Sequence, residues 1–222
     1  MNSDDKKPTA ECLKRDLFGE VWLCTATDSQ YIERRHGRAP LATRWIARWL
    51  AHREARALTY CATVDGTPSL LHFDSQVLRR SYLAGTPMQR AVALDKDYFR
   101  AALRLLRRLH RAGVAHNDLA KEPNWLVTAD GEPAVIDFQL AMTTRRRSRW
   151  FRTLAREDLR HLLKHKRTYS AATLTARQQR LLATKAWPSR VWMATVKPVY
   201  LFVTRRVLGW ADREGAGDRF GR

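Results

Sequence analysis

Two aspartates, an asparagine and a lysine crowd into the string HNDLAKEPNWLVTADGEPAVIDF, which runs from His116 to Phe138. Asp130-Gly131 stands inside it between apolar and β-branched runs, the strongest short-range signal for a tight β-hairpin. With those two residues as the loop, the ladder pairs Asn124 with Asp137, their Cα atoms about 5 Å apart. An amide oxygen beside a carboxylate, with no basic neighbour, suits a hard cation such as Mg2+. Asp118, just upstream in a loop, is placed to accept a proton or to orient a hydroxyl. An ordinary hairpin with polar ends accounts for each residue alone; the combination favours chemistry.

Several elements must hold these groups. The clearest helix runs from Asp97 to Ala112: Phe99, Leu103, Leu106 and His110 form its stripe, Asp95 or Asp97 caps it, and Gly113 ends it. Val114-Ala115 then lead directly into His116. Upstream, residues 12–35 read as a β-meander ending in QYIERR, where Ile32 and Arg34 share a face. Leu41 to Ala62 is helical, with an apolar stripe of Trp45, Ile46, Trp49, Leu50, Ala57, Leu58 and Cys61. Glu54 sits at the edge of that stripe, where a carboxylate is costly unless paired. Leu70–Asp74 and Gln76–Leu83 read as two further strands, and Gly85 and Pro87 make SYLAGTPM a linker.

Downstream, EDLRHLLKHKRTY reads as a helix. His161 and His165 stand four apart on it, but Lys164 and Lys166 repel a metal, so a solvated basic face is the expectation. Thr175 caps another helix reaching about Ala186. A last segment from Arg190 mixes Trp192, Tyr200, Phe202 and Trp210 with Arg205 and Arg206. That composition suits either the interface of an anionic membrane or a terminal helix packed on the rest.

The chain has 222 residues, 45% of them apolar, enough to bury a core. Cys12, Cys24 and Cys61 are scattered, which argues against a disulfide framework or a zinc site and fits a reducing cytosol. The polar N-terminus is no signal peptide, and no run of apolar residues is long enough to span a bilayer. Net charge is the loudest feature, 41 basic against 22 acidic residues for +19. So large an excess favours an anionic partner: a phosphate-rich substrate, an anionic lipid surface or RNA.

The segment from His116 to Phe138 resembles the catalytic loop and metal-binding strand of the protein-kinase-like superfamily, H-R-D-L-x-x-x-N followed by D-F-G. His116, Asp118, Leu119, Asn124, Asp137 and Phe138 match. Asn117 stands where that pattern has Arg, and Gln139 where it has Gly. Four residues instead of three separate Leu119 from Asn124, an insertion read as a bulge that keeps the metal pair and moves Lys121. Within the superfamily, the chain is most similar to small bacterial lipopolysaccharide (Kdo and heptose) kinases and to RIO-like kinases.

The resemblance implies an α+β, two-lobed fold. Its parts would be a disordered N-terminus (1–11), a β-rich N-lobe with one helix (12–83) and a mainly helical, basic C-lobe (84–222). It implies ATP and Mg2+ as cofactors, with Asn124 and Asp137 on the metal and Asp118 at the acceptor hydroxyl. His116 and Phe138 would be structural at the site. Phe18, Gly19 and Val21 resemble the end of the glycine-rich loop, so Gly19 and Val21 would approach the nucleotide. The strand lysine of V-A-I-K is absent, since no lysine lies between Lys14 and Lys96. Arg34 takes its place, with Arg35 as the fallback, and Glu54 would brace it by an ion pair. Tyr82 and Leu83 would form the adenine-binding hinge, and Lys121 would reach the γ-phosphate. Asp158 resembles the aspartate that braces the catalytic loop. No A-P-E motif follows, which argues against control by an activation loop.

What is implied is a kinase acting on an alcohol group of an anionic acceptor, a lipopolysaccharide core sugar or a lipid. It would be cytoplasmic, with peripheral contact at the inner membrane; nucleic acid is the less favoured partner. A RIO-like serine/threonine protein kinase is the first rival. A catalytically inactive pseudokinase binding membrane or RNA is the second.

Overall fold

The computed structural model describes residues 9–26, 29–92 and 94–183. Its N-terminal part is a five-stranded sheet in which every neighbouring pair is antiparallel. The strands are β1 (Thr9–Asp16), β2 (Gly19–Thr25), β3 (Gln30–Arg35), β4 (Leu70–Phe73) and β5 (Leu78–Ser81), in the order β1-β2-β3-β5-β4. β1 opens at Thr9, inside the stretch expected to be disordered, because β2 offers it a ladder from Thr9↔Thr25 to Asp16↔Gly19. The expected segment from Arg190 lies outside the described residues.

Helix α1 (Arg44–Tyr60) buries Ala47, Leu50, Ala51, Glu54, Ala55, Ala57 and Leu58. This corrects the tryptophan stripe: Trp45 and Trp49 are 70% and 51% exposed. Alanines at 47, 51 and 55 make a narrow ridge on which the helix can pack closely, and an indole on that ridge would force it away. Trp49 instead stacks under the Arg53 guanidinium, 4.6 Å from the ring centre. The helix packs against the turns His36–Arg38 and Phe138–Leu140 and against β4.

After β5 the chain passes through β6 (Thr86–Pro87) to α2 (Lys96–Arg111). Asp95 caps α2, its Oδ1 accepting from the N–H groups of Asp97 (3.0 Å) and Tyr98 (2.8 Å). The buried stripe is Tyr98, Phe99, Ala101, Ala102, Leu105, Leu106 and Leu109, so Leu103 and His110 lie at its margin. Gly113 ends the helix at φ +86°, and a Cβ there would collide with the Thr144 carbonyl.

Next come β7 (Val114–Ala115), β8 (Trp125–Val127), β9 (Pro133–Val135) and β10 (Met142–Thr143). β7 pairs with β10, and β8 lies between β6 and β9. Helix α3 (Arg149–Tyr169), capped by Ser148, and the short α4 (Ala176–Ala183) complete the described chain. One core joins α2 to the hairpin: Leu105, Leu106, Leu109, Leu119, Trp125, Val135 and Phe138 are all buried in it. Each large side chain contributes about 1.5–3 kcal/mol by leaving water, which fixes the His116–Asn124 loop to α2. Among the described residues, no helix is long and apolar enough to cross a membrane.

The hairpin register differs from the expected one. Trp125 pairs with Val135, Leu126 with Ala134 and Val127 with Pro133, one residue short of the pairing that would oppose Asn124 to Asp137. The loop has three residues, Ala129–Gly131, closed by Gly131 N–H to Thr128 O (3.0 Å) and Thr128 N–H to Glu132 O (2.9 Å). Gly131 takes φ +77°, the left-handed residue that a three-residue hairpin needs. Asn124 therefore stands opposite Ile136, whose N–H donates to the Asn124 carbonyl at 3.0 Å.

Candidate active site

The loop from His116 to Asn124 is held from three sides. Asp158 on α3 accepts from the backbone N–H groups of His116 and Asn117, both at 2.8 Å, and contacts His110 Nε2 at 3.2 Å. Asn117 sits at φ +67°, a conformation Asn tolerates better than the Arg of the kinase pattern. His116 is fully buried; its Nε2 donates to Ile136 O at 3.0 Å and its ring lies 4.7 Å from that of Phe138. His116 and Phe138 thus tie the loop to the strand that delivers Asp137.

The extra loop residue is absorbed by a 3-10 turn, Glu122–Asn124, with Pro123 in its first turn. Glu122 is buried and accepts from Tyr169 Oη at 2.6 Å, while His165 Nδ1 lies 3.8 Å from its other oxygen. His165 Nε2 donates to Leu119 O at 2.8 Å. Asp158, His165 and Tyr169 recur at seven and four residues and so share one face of α3. This corrects the solvated basic face: His165 and Lys166 are buried, Lys166 donating to Thr173 O at 2.9 Å. Burial, aided by the charge of Lys164, pushes His161 down to about 4.

Asp118 and Asn124 meet directly. Asn124 Nδ2 donates to the carbonyl of Asp118 (3.0 Å) and to its Oδ2 (3.1 Å), and Lys121 Nζ lies 3.2 Å from the same oxygen. Lys121 is therefore at the aspartate rather than displaced from it. Burial raises the Asp118 carboxyl above its ordinary range; Lys121 partly offsets this and Asp137 adds to it.

Asp137 adopts φ +67° and ψ +72°, which lets it leave the ladder and turn inward despite the shifted register. Its Oδ1 accepts from Gln139 Nε2 at 2.9 Å, so the residue in place of the D-F-G glycine contacts it. Burial alone would raise its carboxyl, but Arg34, Arg80, His116 and Lys121 together hold it below its ordinary value. Asn124 thus touches Asp118 directly, and Asp137 acts on Asp118 through its charge, with no ladder pairing Asn124 to Asp137.

Above them, Glu54 is fully buried between two arginines, with Arg34 Nε at 3.4 Å and Arg80 Nε at 3.2 Å. The Arg34 pairing is the one the sequence suggested; Arg80 was missed. It leaves β5 on the same face as Leu78, and strand alternation past Arg79 was the available signal. These contacts pair charge without hydrogen-bond alignment, leaving Arg80 Nε and both Glu54 oxygens buried without a hydrogen-bond partner. The fallback, Arg35, lies on the other face, where it binds buried Glu33 (2.6 Å) together with Arg79 (2.7 Å).

Val21 pairs with Arg34 across the β2–β3 ladder. The β1–β2 connection is a two-residue turn, Leu17-Phe18; Gly19 has φ +114°, and a Cβ there would collide with the Arg35 carbonyl. Its glycine is thus required by the sheet itself. Tyr82 follows β5, its N–H donating to Gln30 O at 3.2 Å, and Leu83 comes next.

A five-stranded antiparallel sheet carrying one helix with a buried glutamate, followed by a helical region around the His116–Asp137 loop and hairpin, defines a protein-kinase-like fold. Solved structures bear this likeness out. A Rio2 kinase from Chaetomium thermophilum matches with a TM-score of 0.58 at 14% identity, over 83% of this chain and 64% of that one. A Rio2 kinase–ADP/Mg2+–phosphoaspartate complex from the same organism matches with a TM-score of 0.58 at 14% identity, over 94% of this chain and 68% of that one. The chain thus spans about two thirds of the length of these neighbours. No protein-family model matches the sequence, and no curated protein is similar enough to match.

Proposed function

We propose that the protein is an ATP-dependent phosphotransferase that moves the γ-phosphate to a hydroxyl. One observation carries the reading: Asp118, tied to Asn124 and raised by burial, lies within the field of Asp137, and Asp137 in turn lies within the field of two arginines braced by one buried glutamate. Phosphoryl transfer asks a protein mainly for position and charge neutralisation, and this arrangement offers both. Likeness to a Rio2 kinase complexed with ADP and Mg2+ supports it.

The donor set fits a hard cation. Asn124 commits its N–H to Asp118, leaving its carbonyl oxygen as the atom presented, and Asp137 is held ionised. Bound there, Mg2+ would screen the charge of the nucleotide phosphates. Arg34 and Arg80 would take phosphate oxygens, each guanidinium offering a planar fork of donors. Lys121 stabilises the ionised form of Asp118 until a hydroxyl arrives. Asp118 orients that hydroxyl and accepts its proton. Gly19 and Val21 would lie over the phosphates, and Tyr82 and Leu83 beside the adenine.

The acceptor is an anionic sugar or lipid, such as a lipopolysaccharide core, in keeping with the +19 charge. A RIO-like protein kinase is the second reading, favoured by the Rio2 neighbours. Incubation with γ-labelled ATP, Mg2+ and a cell-envelope extract separates them: label in the solvent-extractable fraction supports the first, label on protein serine or threonine the second. Asp118→Ala is expected to lower transfer by roughly 10²–10⁴-fold. Transfer indifferent to both Asp118→Ala and Asp137→Asn would leave a binding protein without chemistry.

A further inference from the structure

We propose that the outer face of α1, together with the exposed run Arg145–Trp150, is a docking surface for an anionic phospholipid membrane. Trp45, Arg48, Trp49, His52 and Arg56 recur along α1 at helical spacing, and all five are exposed. Leu41, at the head of the helix, is 81% exposed and Trp45 70%. Arg38 stands beside them in the preceding turn, also exposed. The acid in this segment, Glu54, is buried on the opposite side.

A second strip adjoins the first. Arg145, Arg146, Arg147, Ser148, Arg149 and Trp150 are exposed in succession, and no acid occurs between Phe138 and Arg156. The two strips meet at Tyr60, whose hydroxyl is held below its ordinary value by the positive charge of both Arg56 of α1 and Arg145. Indoles and a leucine set among arginines, with no exposed carboxylate within either strip, match the composition of surfaces that lie in the headgroup layer. Leu41 favours lipid over RNA: it has no ring on which a base can stack and gains only by leaving water. The chain beyond Ala183 is itself basic (Lys185, Arg190, Lys197, Arg205, Arg206), so its charge does not complement this face. Docking would also bear on the site, because Arg53, stacked on Trp49, donates to the carbonyls of Leu140 (2.8 Å) and Ala141 (2.9 Å), just past Asp137.

The test is co-sedimentation of the full chain, without nucleotide, with phosphatidylcholine vesicles containing or lacking about one third phosphatidylglycerol. Because no turnover is read, the result stands apart from the phosphotransferase reading. The wild type is expected to sediment only with the anionic vesicles and to be released by salt. Arg145→Gln/Arg146→Gln/Arg147→Gln is expected to weaken partitioning by roughly a hundredfold, from about fivefold per charge. Leu41→Ser/Trp45→Ser is expected to weaken it by at least tenfold with the charge unchanged. These side chains are exposed, so thermal melts should coincide with the wild type. An equal charge loss on α2, Arg100→Gln/Arg104→Gln/Arg107→Gln, is the control and should cost far less. Equal loss in the control, no loss in either surface variant, or retention of single-stranded RNA in place of anionic vesicles would each overturn the proposal.

Discussion

Arg80 and Glu54 face each other in the interior, Nε to Oε1 at 3.2 Å, on side chains 9% and 0% exposed. With Arg34 on the other oxygen, two cations share one carboxylate. Removing that carboxylate strands both guanidinium groups away from water, so Glu54→Gln is expected to destabilise the fold by about 3–5 kcal/mol. Arg80→Met leaves Glu54 still paired with Arg34 and should cost clearly less. Urea unfolding of the two variants orders them, and the reverse order would show that Glu54 is not the hub.

If both arginines take phosphate oxygens, each truncation should weaken nucleotide. Arg34→Ala and Arg80→Ala are each expected to raise the Kd for MgATP by roughly tenfold to a hundredfold, the worth of one charge-assisted hydrogen bond. Calorimetric titration reads this directly. Unchanged affinity in Arg80→Ala would restrict phosphate binding to Arg34.

Asp158 holds the His116–Asn124 loop through two backbone N–H groups. Asp158→Ala leaves the buried His116 N–H without an acceptor, at about 1–3 kcal/mol, and the part-buried Asn117 N–H at less, and the melting temperature should fall accordingly. Asp158→Asn keeps one side-chain oxygen and should recover part of the loss. A variant that melts like the wild type would mean that water replaces the carboxylate.

The pH profile tests Asp118. A base works only when deprotonated, so turnover falls as the pH drops through its pKa. Burial raises that pKa, and the acid limb of kcat/KM is expected above the ordinary aspartate range. Lys121 favours the ionised form, so Lys121→Ala should move the limb to higher pH and lower the rate near neutrality. A limb that stays in place, or moves to lower pH, would remove Lys121 from this role.

Gly19 is held at φ +114° against the Arg35 carbonyl. Gly19→Ala meets both an unfavourable backbone conformation and a collision with main chain, and should destabilise by about 2 kcal/mol or more. Gly131, also left-handed but with open space around it, supplies the comparison: Gly131→Ala should cost only about 1 kcal/mol.

Much of this was legible in the sequence because it depends on near neighbours in the chain. The meander, the two long helices, the Asp95 cap and the Gly113 stop follow from periodicity and local backbone chemistry. Asp118, Asn124 and Asp137 were marked by type and spacing, and His116 and Phe138 by the resemblance to the kinase-like superfamily. The pairing of Glu54 with Arg34 followed from the resemblance to the kinase-like superfamily.

Other features were decided only by packing. The hairpin register rests on Gly131 closing a three-residue loop, and the inward turn of Asp137 rests on a left-handed backbone, neither of which a pairing rule supplies. Whether the tryptophans or the alanines of α1 face inward depended on the space left beneath the helix. Arg80, His165 and Tyr169 reach the site from residues distant in the chain, and their roles come from burial. A charged or polar group removed from water must find a partner, and only the folded chain determines which partner is within reach.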